Sequence, residues 1–266
     1  MATYVFSDVH GHAAPLERAI ARTNPSEDDA YYCLGDMIDR GPDPLGVISL
    51  VRSLPNVHVI MGNHEDLMMA CMSDPDDGVN ALNWGMNGGT VTAEALAELS
   101  EGEADEIVEW VSCLPAYDYV RVGERDYLLV HAGIDASRAA EGPFDDGEKL
   151  EGLLAAQELE DLMWIREEFW GAHTGLIDAE GRGPIVVAGH TPTPYLDRLS
   201  GDCDVRTRDE EGRATMARLG ADESTGGVAD RWDIDAGAAG GAGFGRVLVL
   251  RLDDGEEFYE DIAEGE

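Results

Sequence analysis

Three short β-rich runs in the first seventy residues alternate with stretches of helical spacing, and each run ends at a residue able to do chemistry. Residues 3–8 (Thr-Tyr-Val-Phe-Ser-Asp) are β-branched and aromatic and run into Asp8. Leu16, Ala19, Ile20 and Thr23 then repeat at helical spacing across 13–23. Tyr31 to Leu34 is a second strand, ending at Gly35-Asp36. Asp43-Pro44 has the form of a cap followed by a first-turn proline. Val47, Leu50, Val51 and Leu54 line the helix after it, and Pro55 stops that helix. Val57 to Met61 is a third strand, ending at Gly62-Asn63, and a helix is expected from Glu65 to Met72. Strand–helix alternation of this kind requires a parallel sheet with crossover helices. Open α/β sheets place their sites at the carboxyl ends of the strands, which is where Asp8, Asp36 and Asn63 fall.

The chain changes character after this. Residues 74–115 open on a turn cluster and continue with helical patterns at 92–99 and 103–113, which predicts a helical insertion. Tyr117 to Val122 and Tyr127 to Val130 flank a turn and predict a hairpin ending at His131. Residues 150–170 have one helical pattern, ending in Trp164-Ile165-Arg166-Glu167. Ile185 to Ala188 is a buried strand ending at Gly189-His190. Residues 200–230 are polar and loop-rich, with a weak hairpin as the alternative, and 232–235 is strand-like. An Ala/Gly loop and two alternating strands, 246–252 and 257–262, close the sequence. Parallel units followed by hairpins predict a single α/β domain over 1–266, with two packed sheets and helices outside.

Composition narrows the function classes. There are 55 acidic residues against 18 basic ones, for a net charge of −37, and Lys149 is the only lysine. Such a surface repels nucleic acid and anionic membranes, so neither is an expected partner. Salt adaptation and a lysine-poor genome explain the excess equally well. No apolar run is long enough to span a bilayer, and no basic, apolar leader opens the sequence, which favours the cytoplasm. The cysteines Cys33, Cys71, Cys113 and Cys203 are widely spaced, and reduced, mostly buried thiols are expected.

Asp8, His10, Asp36, Asn63, His131 and His190 form a ligand set of carboxylate, imidazole and amide oxygen, drawn from five strand ends. That set suits Mn²⁺, Fe or Zn²⁺. Two such ions about 3.5–4 Å apart activate water and neutralise phosphoryl oxygens. Two dications, two aspartates and a hydroxide leave a local charge of about +1, enough with Arg40 to draw a phosphate into an acidic protein. Asp36, between the other ligands in chain order, is the natural bridge. His64 follows a ligand directly, so it can face the leaving group as general acid, with Asp39 holding its proton.

The motifs D-x-H-G, G-D-x-x-D-R-G, G-N-H-E, H-A-G and G-H-T-P, in this order between residues 8 and 190, resemble the PPP-type phosphatases of the calcineurin-like metallophosphoesterase superfamily. The small bacterial and phage-lambda-type serine/threonine protein phosphatases are the nearest likeness. The resemblance implies a four-layer αββα sandwich and two metals, Mn²⁺ foremost. It implies Asp8, His10 and Asp36 on one metal, and Asp36, Asn63, His131 and His190 on the other. It also implies Arg40, Asn63 and Arg166 on the phosphate and His64 as acid with Asp39 beside it. Ser7 stands where that family has glycine, and Ala132 replaces the first glycine of H-G-G.

The expected activity is hydrolysis of phosphoserine or phosphothreonine esters in proteins, or of small phosphoesters, by direct attack of water without a phosphoenzyme. Symmetrical diadenosine tetraphosphate hydrolysis is the alternative, because a sister group shares most of the motifs. That group resembles A-R-G and G-N-H-D where this chain has Asp39 and Glu65, which favours the protein phosphatases. A non-catalytic scaffold is the alternative of another class. Oligomeric state is not legible.

Several other residues invite duller readings. His12 and His58 are expected to be structural or exposed, and His173 has no assigned role. Met68, Met69 and Met72 read as core, Glu65 as a loop-orienting residue, and Glu101 to Glu109 as a solvated helix face. Asp235 is assigned no catalytic role.

Overall fold

The computed structural model describes residues 1–74, 76–138, 147–200 and 205–266, and the side chains of 147–149 are outside what it describes. The chain divides into two compact units, Met1–Pro115 with Gly237–Glu266, and Ala116–Ala236.

The first unit holds a mixed five-stranded sheet. Its strands are β1 (Thr3–Phe6), β2 (Ala30–Cys33), β3 (Val57–Val59), β9 (Arg246–Arg251) and β10 (Glu257–Asp261), in the order β10-β9-β1-β2-β3. β1, β2 and β3 are parallel neighbours, as the alternating pattern requires. α1 (Ala13–Arg22) and α2 (Pro44–Ser53) are the crossovers. Neither ten-residue helix would be stable alone. Burial of Leu16, Ala19 and Ile20 on α1, and of Val47, Ile48 and Val51 on α2, holds them in place. Each large apolar side chain so buried contributes about 1.5–3 kcal/mol. Asp43 caps α2 through a 2.9 Å bond from Gly46 N–H, ahead of Pro44, as the sequence predicts.

α3 (Asn63–Ser73) starts two residues earlier than its apolar spacing predicts, so Asn63 and His64 lie in its first turn. Glu65 draws it back by accepting the Gly62 N–H at 3.0 Å. The insertion forms α4 (Gly78–Met86), α5 (Thr90–Ala97) and α6 (Glu101–Ser112). α5 and α6 match the expected patterns. α4 does not, since its glycines and asparagines read as turn; a buried Trp84 secures it. The acidic face of α6 is solvated as expected.

The second unit holds a second mixed sheet. Its strands are β4 (Tyr117–Val122), β5 (Arg125–Val130), β6 (Ile185–Ala188), β7 (Ala217–Leu219) and β8 (Arg231–Asp233), in the order β4-β5-β6-β8-β7. β5, β6 and β8 are parallel, and β4 and β7 pair antiparallel on the outside. The single helix expected over 150–170 is three: α7 (Gly147–Ala156), α8 (Leu159–Trp164) and α9 (Glu167–Trp170). α7 ends at Ala156, and Glu158 caps α8, its N–H donating to Asp161 at 3.0 Å. Arg166 leaves helical geometry at φ −135°, ψ −82°. α10 (Leu196–Leu199) follows β6. The loop-rich 200–230 segment contains β7, and 201–204 lie outside the described residues.

Leu128, Val130, Leu162, Phe169, Trp170 and Val186 centre this unit's core. Of the described cysteines only Cys33 is buried, while Cys71 is half-buried and Cys113 exposed, against the expectation of mostly buried thiols. Cys203 is outside the described residues. No helix among the described residues is long and apolar enough to cross a membrane.

Candidate active site

The loops leaving β1 and β2 continue to bond one another past the end of the strands. Asp8 N–H donates to Gly35 O (3.2 Å), His10 N–H to Asp36 O (2.9 Å) and Gly11 N–H to Met37 O (2.9 Å). Gly41 N–H returns to His10 O at 2.9 Å, and a Cβ on Gly41 would lie 2.1 Å from that oxygen, so only glycine fits.

This backbone is strained where it carries the chemistry. Among the described residues eight non-glycines have positive φ, and six of them are Asp8, His10, Asp36, Asp39, Arg40 and His190. Left-handed backbone costs an ordinary residue on the order of 1–3 kcal/mol, and it persists where the surroundings over-determine it. Glu65 is one reason it persists here. Its fully buried carboxylate accepts the N–H of Asp36 (2.8 Å), Met37 (2.9 Å) and Gly62 (3.0 Å), tying the β2 loop to the start of α3. It is the loop-orienting residue the sequence suggests.

Glu65→Gln replaces that carboxylate with one acceptor and two donors facing N–H groups. The metal-loaded protein should lose on the order of 3 kcal/mol, the scale of charge-assisted hydrogen bonds. A thermal melt checks this, and an unchanged melting temperature would show that the loops hold without it.

Asp8, His10, Asp36, Asn63 and His64 are all buried. His10 Nε2 lies 3.5 Å from Asp36 Oδ2, and its Nδ1 faces Ile38 O at 3.1 Å, which directs Nε2 toward the carboxylate. The Ser7 hydroxyl donates to Asp8. Asp36 Oδ1 accepts the His64 N–H at 3.0 Å. Burial pushes the Asp36 carboxyl well above its ordinary range, and the charges of Asp8 and Glu65 push it further. Buried carboxylates beside imidazole nitrogens are stable as anions only with a cation among them, so the donor set fits a divalent metal. Ligand-type atoms of His10, Asp36 and His64 all lie within 4.8 Å of one another.

His64 is nevertheless engaged at both nitrogens. Nδ1 is 2.6 Å from Asp39 Oδ2, and Nε2 is 2.8 Å from an Arg40 guanidinium nitrogen. Arginine can only donate, so Nε2 accepts and Nδ1 carries the proton. Burial holds the His64 pKa below its ordinary value; the Asp39 bond raises it and the Arg40 charge lowers it.

Two residues that the sequence analysis missed complete this arrangement. Trp84 Nε1–H donates to Asp39 Oδ2 at 2.9 Å. The Thr92 hydroxyl donates to Asp39 Oδ1 at 2.6 Å and accepts the Asp39 N–H at 3.0 Å. A lone tryptophan in an uncharged Gly/Asn stretch was the only signal of this in the sequence. Arg40 is exposed and anchored by Asn87 O, which accepts from its Nε at 3.2 Å.

In the second unit, His131 follows β5 and His190 follows β6. Gly189 N–H donates to His131 O at 2.8 Å, and the two rings stand 5.1 Å apart. Trp164 packs edge-on against His190 at 5.7 Å. Arg166 donates to the Thr191 hydroxyl at 3.1 Å, which brings it to the His190 loop. Asp235 is buried, and its N–H donates to Asp233 at 3.0 Å. His12 is buried and bonded to Glu266 O, while His58 is exposed and stacks on Tyr32, within the range the sequence allows. His173 lies between Asp222 (3.0 Å) and Asp230 (3.3 Å).

The chain is similar to known proteins. The chain is 32% identical over 165 residues to a symmetrical bis(5'-nucleosyl)-tetraphosphatase from Marinomonas sp., covering 60% of this chain and 51% of that one. It is 28% identical over 220 residues to the enzyme of that name from Methylococcus capsulatus, covering 80% and 72%. The chain thus spans about half the length of the first relative. A crystal structure of a metallophosphoesterase from Sphaerobacter thermophilus matches with a TM-score of 0.52 at 14% identity, over 99% of this chain and 88% of that one, and so shares its fold. The calcineurin-like phosphoesterase profile matches residues 1–222, which include every strand end that carries a candidate ligand. The match takes in the buried donors after β1, β2 and β3 and the paired histidines after β5 and β6, and the chain belongs to the calcineurin-like phosphoesterases.

Proposed function

We propose that the protein is a dinuclear metal-dependent hydrolase of dinucleoside polyphosphates, cleaving a symmetrical tetraphosphate into two nucleoside diphosphates. The contact between Arg40 and His64 Nε2, at 2.8 Å, carries the reaction class. Arginine suits phosphate, so a phosphate that takes this guanidinium would free the imidazole nitrogen to face the leaving group. The substrate class rests on the likeness to symmetrical tetraphosphatases.

In this reading Asp8, His10, Asp36 and Asn63 of the first unit and His131 and His190 of the second are the metal ligands, with Mn²⁺ foremost. Bound there, the ions supply activated water and neutralise the phosphoryl oxygens. Arg40 and Arg166, with Asn63, orient the phosphate. Asp39 fixes the His64 tautomer.

A second reading, hydrolysis of phosphoserine or phosphothreonine in proteins, is favoured by Asp39 and Glu65, which match the protein phosphatase motifs. Rates on diadenosine tetraphosphate and on a phosphopeptide, measured side by side with Mn²⁺, separate the two. The dinucleotide should be preferred by about tenfold or more in kcat/KM, a difference of about 1.4 kcal/mol. A preference for the phosphopeptide would reverse the assignment.

A further inference from the structure

Asp39 and Arg40 are neighbours that both take left-handed backbone, at φ 70° and 68°. Neither is glycine, so outside contacts must hold them there. One stretch, from Trp84 at the end of α4 to Thr92 at the start of α5, reaches both. The Thr92 hydroxyl closes a ring on Asp39, accepting its N–H at 3.0 Å and donating to Oδ1 at 2.6 Å. Trp84 donates to Oδ2 at 2.9 Å. Gly88 O accepts the Arg40 N–H at 3.2 Å, and Asn87 O accepts from Arg40 Nε at 3.2 Å.

The stretch folds back tightly to make these contacts. Gly89 N–H donates to Trp84 O at 3.0 Å, and a Cβ on Gly89 would lie 2.3 Å from the indole nitrogen. Gly88 takes φ 101°, and a Cβ there would lie 2.7 Å from Arg40 Cγ. From Gly78 to Ala93 no residue is charged, in a protein with 55 acidic residues. Carbonyl oxygens orient a guanidinium without neutralising it, so Arg40 keeps its charge for a phosphate. A carboxylate in their place would compete with that phosphate.

We propose that Trp84 to Thr92 is a positioning clamp with two separable tasks. Thr92 and Trp84 fix the Asp39 carboxylate against His64, and Asn87 and Gly88 fix Arg40 for a phosphate. The inference rests on the hydrolase reading and deepens it, because the clamp acts through His64 and Arg40. With Oδ1 tied to Thr92, Oδ2 is the oxygen presented to His64 Nδ1, at 2.6 Å. A carboxylate without that tie is free to rotate, and the direction of the bond to Nδ1 is lost. Arg40 reaches the other ring nitrogen of His64 at 2.8 Å, so one stretch governs the groups on both sides of the imidazole. Thr92 and Trp84 are buried and act as positioning residues.

The test uses three variants of the metal-loaded protein, each checked by a thermal melt. Thr92→Val keeps the shape and removes both hydroxyl bonds, Thr92→Ser restores them, and Gly88→Ala pushes on Arg40. Nitrogen NMR of the Zn²⁺-loaded, histidine-labelled protein reads the His64 tautomer, its signals assigned by their loss in His64→Asn. The tautomer lacking the Nδ1 proton should rise about tenfold in Thr92→Val, the scale of one charge-assisted hydrogen bond. Thr92→Ser and Gly88→Ala should both stay within about twofold of the wild type. Calorimetry with inorganic phosphate should show affinity falling about tenfold in Gly88→Ala and less than about twofold in Thr92→Val. The KM for diadenosine tetraphosphate should follow the phosphate affinity. A wild-type tautomer in Thr92→Val, or a Thr92→Ser as altered as Thr92→Val, overturns the proposal. Wild-type phosphate affinity in Gly88→Ala overturns it too. So does joint loss of tautomer and phosphate affinity in both Thr92→Val and Gly88→Ala, which would make the stretch general support for the loop. The full pattern in a protein that hydrolyses neither diadenosine tetraphosphate nor a phosphopeptide would keep the clamp and remove the hydrolase reading.

Discussion

Asp36→Asn should strip metal and lower kcat on any phosphoester by at least about 10³-fold, since even partners that only support a ligand are worth about 10–100-fold. A bridging role is proposed for the residue. Its N–H is held by Glu65, its Oδ1 by the His64 N–H, and its Oδ2 faces His10. Asparagine is nearly isosteric and can keep the His64 bond, so the loss is of charge rather than of shape.

The metal-free protein should respond in the opposite direction. The folded Asp36 pKa lies above the ordinary 3.8, so its contribution to stability is complete below that pH and is lost as pH rises through the folded value. Above its ordinary pKa this carboxyl therefore weakens the metal-free fold, chiefly through burial and then through Asp8 and Glu65. The neutral amide of the Asp36→Asn variant relieves this, so the chelated variant should melt at or above the chelated wild type while gaining little stability from added Mn²⁺. Metal analysis and paired melts with and without chelator check both halves. Full activity with wild-type metal content would remove Asp36 from the site.

Much of the surroundings of Asp36 was legible in sequence. Strand–helix alternation puts Asp8, Asp36 and Asn63 at strand ends, and a parallel sheet brings successive strand ends together whatever the side chains are. Local patterns therefore sufficed for β1 to β3, α1 and α2. What was not legible depends on contacts far apart in sequence or on backbone conformation. Residues 78–89 are rich in glycine and asparagine, which read as turn, and α4 is secured by a buried Trp84 that reaches Asp39, 45 positions away. Thr92 meets Asp39 across 53 positions. The break at Arg166 turns on φ and ψ, which side-chain spacing does not reveal. The positive φ at Asp8, His10 and Asp36 is equally hidden, because aspartate and histidine also adopt ordinary backbone.

Asp39→Asn should separate the two substrate classes. The Asp39 carboxylate receives Trp84 and Thr92 and faces His64 Nδ1 at 2.6 Å, fully buried. It can therefore hold the proton on Nδ1 and stabilise the imidazolium when Nε2 is protonated. Asparagine in its place can offer Nδ1 an N–H, which selects the other tautomer. The cost depends on the leaving group. A serine alkoxide is a strong base and needs a proton as it departs, so losing a positioned acid should lower kcat on a phosphopeptide by about 10²–10³-fold. A nucleoside diphosphate leaves as an anion whose terminal phosphate has a pKa near 6, as other phosphomonoesters do, and it gains little from a proton at neutral pH. On diadenosine tetraphosphate the loss should stay below about tenfold, or about 1.4 kcal/mol of barrier. Equal losses on both substrates would mean that Asp39 shapes the loop around Arg40 and does not serve proton transfer. A large loss confined to the phosphopeptide would show that this chain carries ester-cleaving machinery that depends on Asp39.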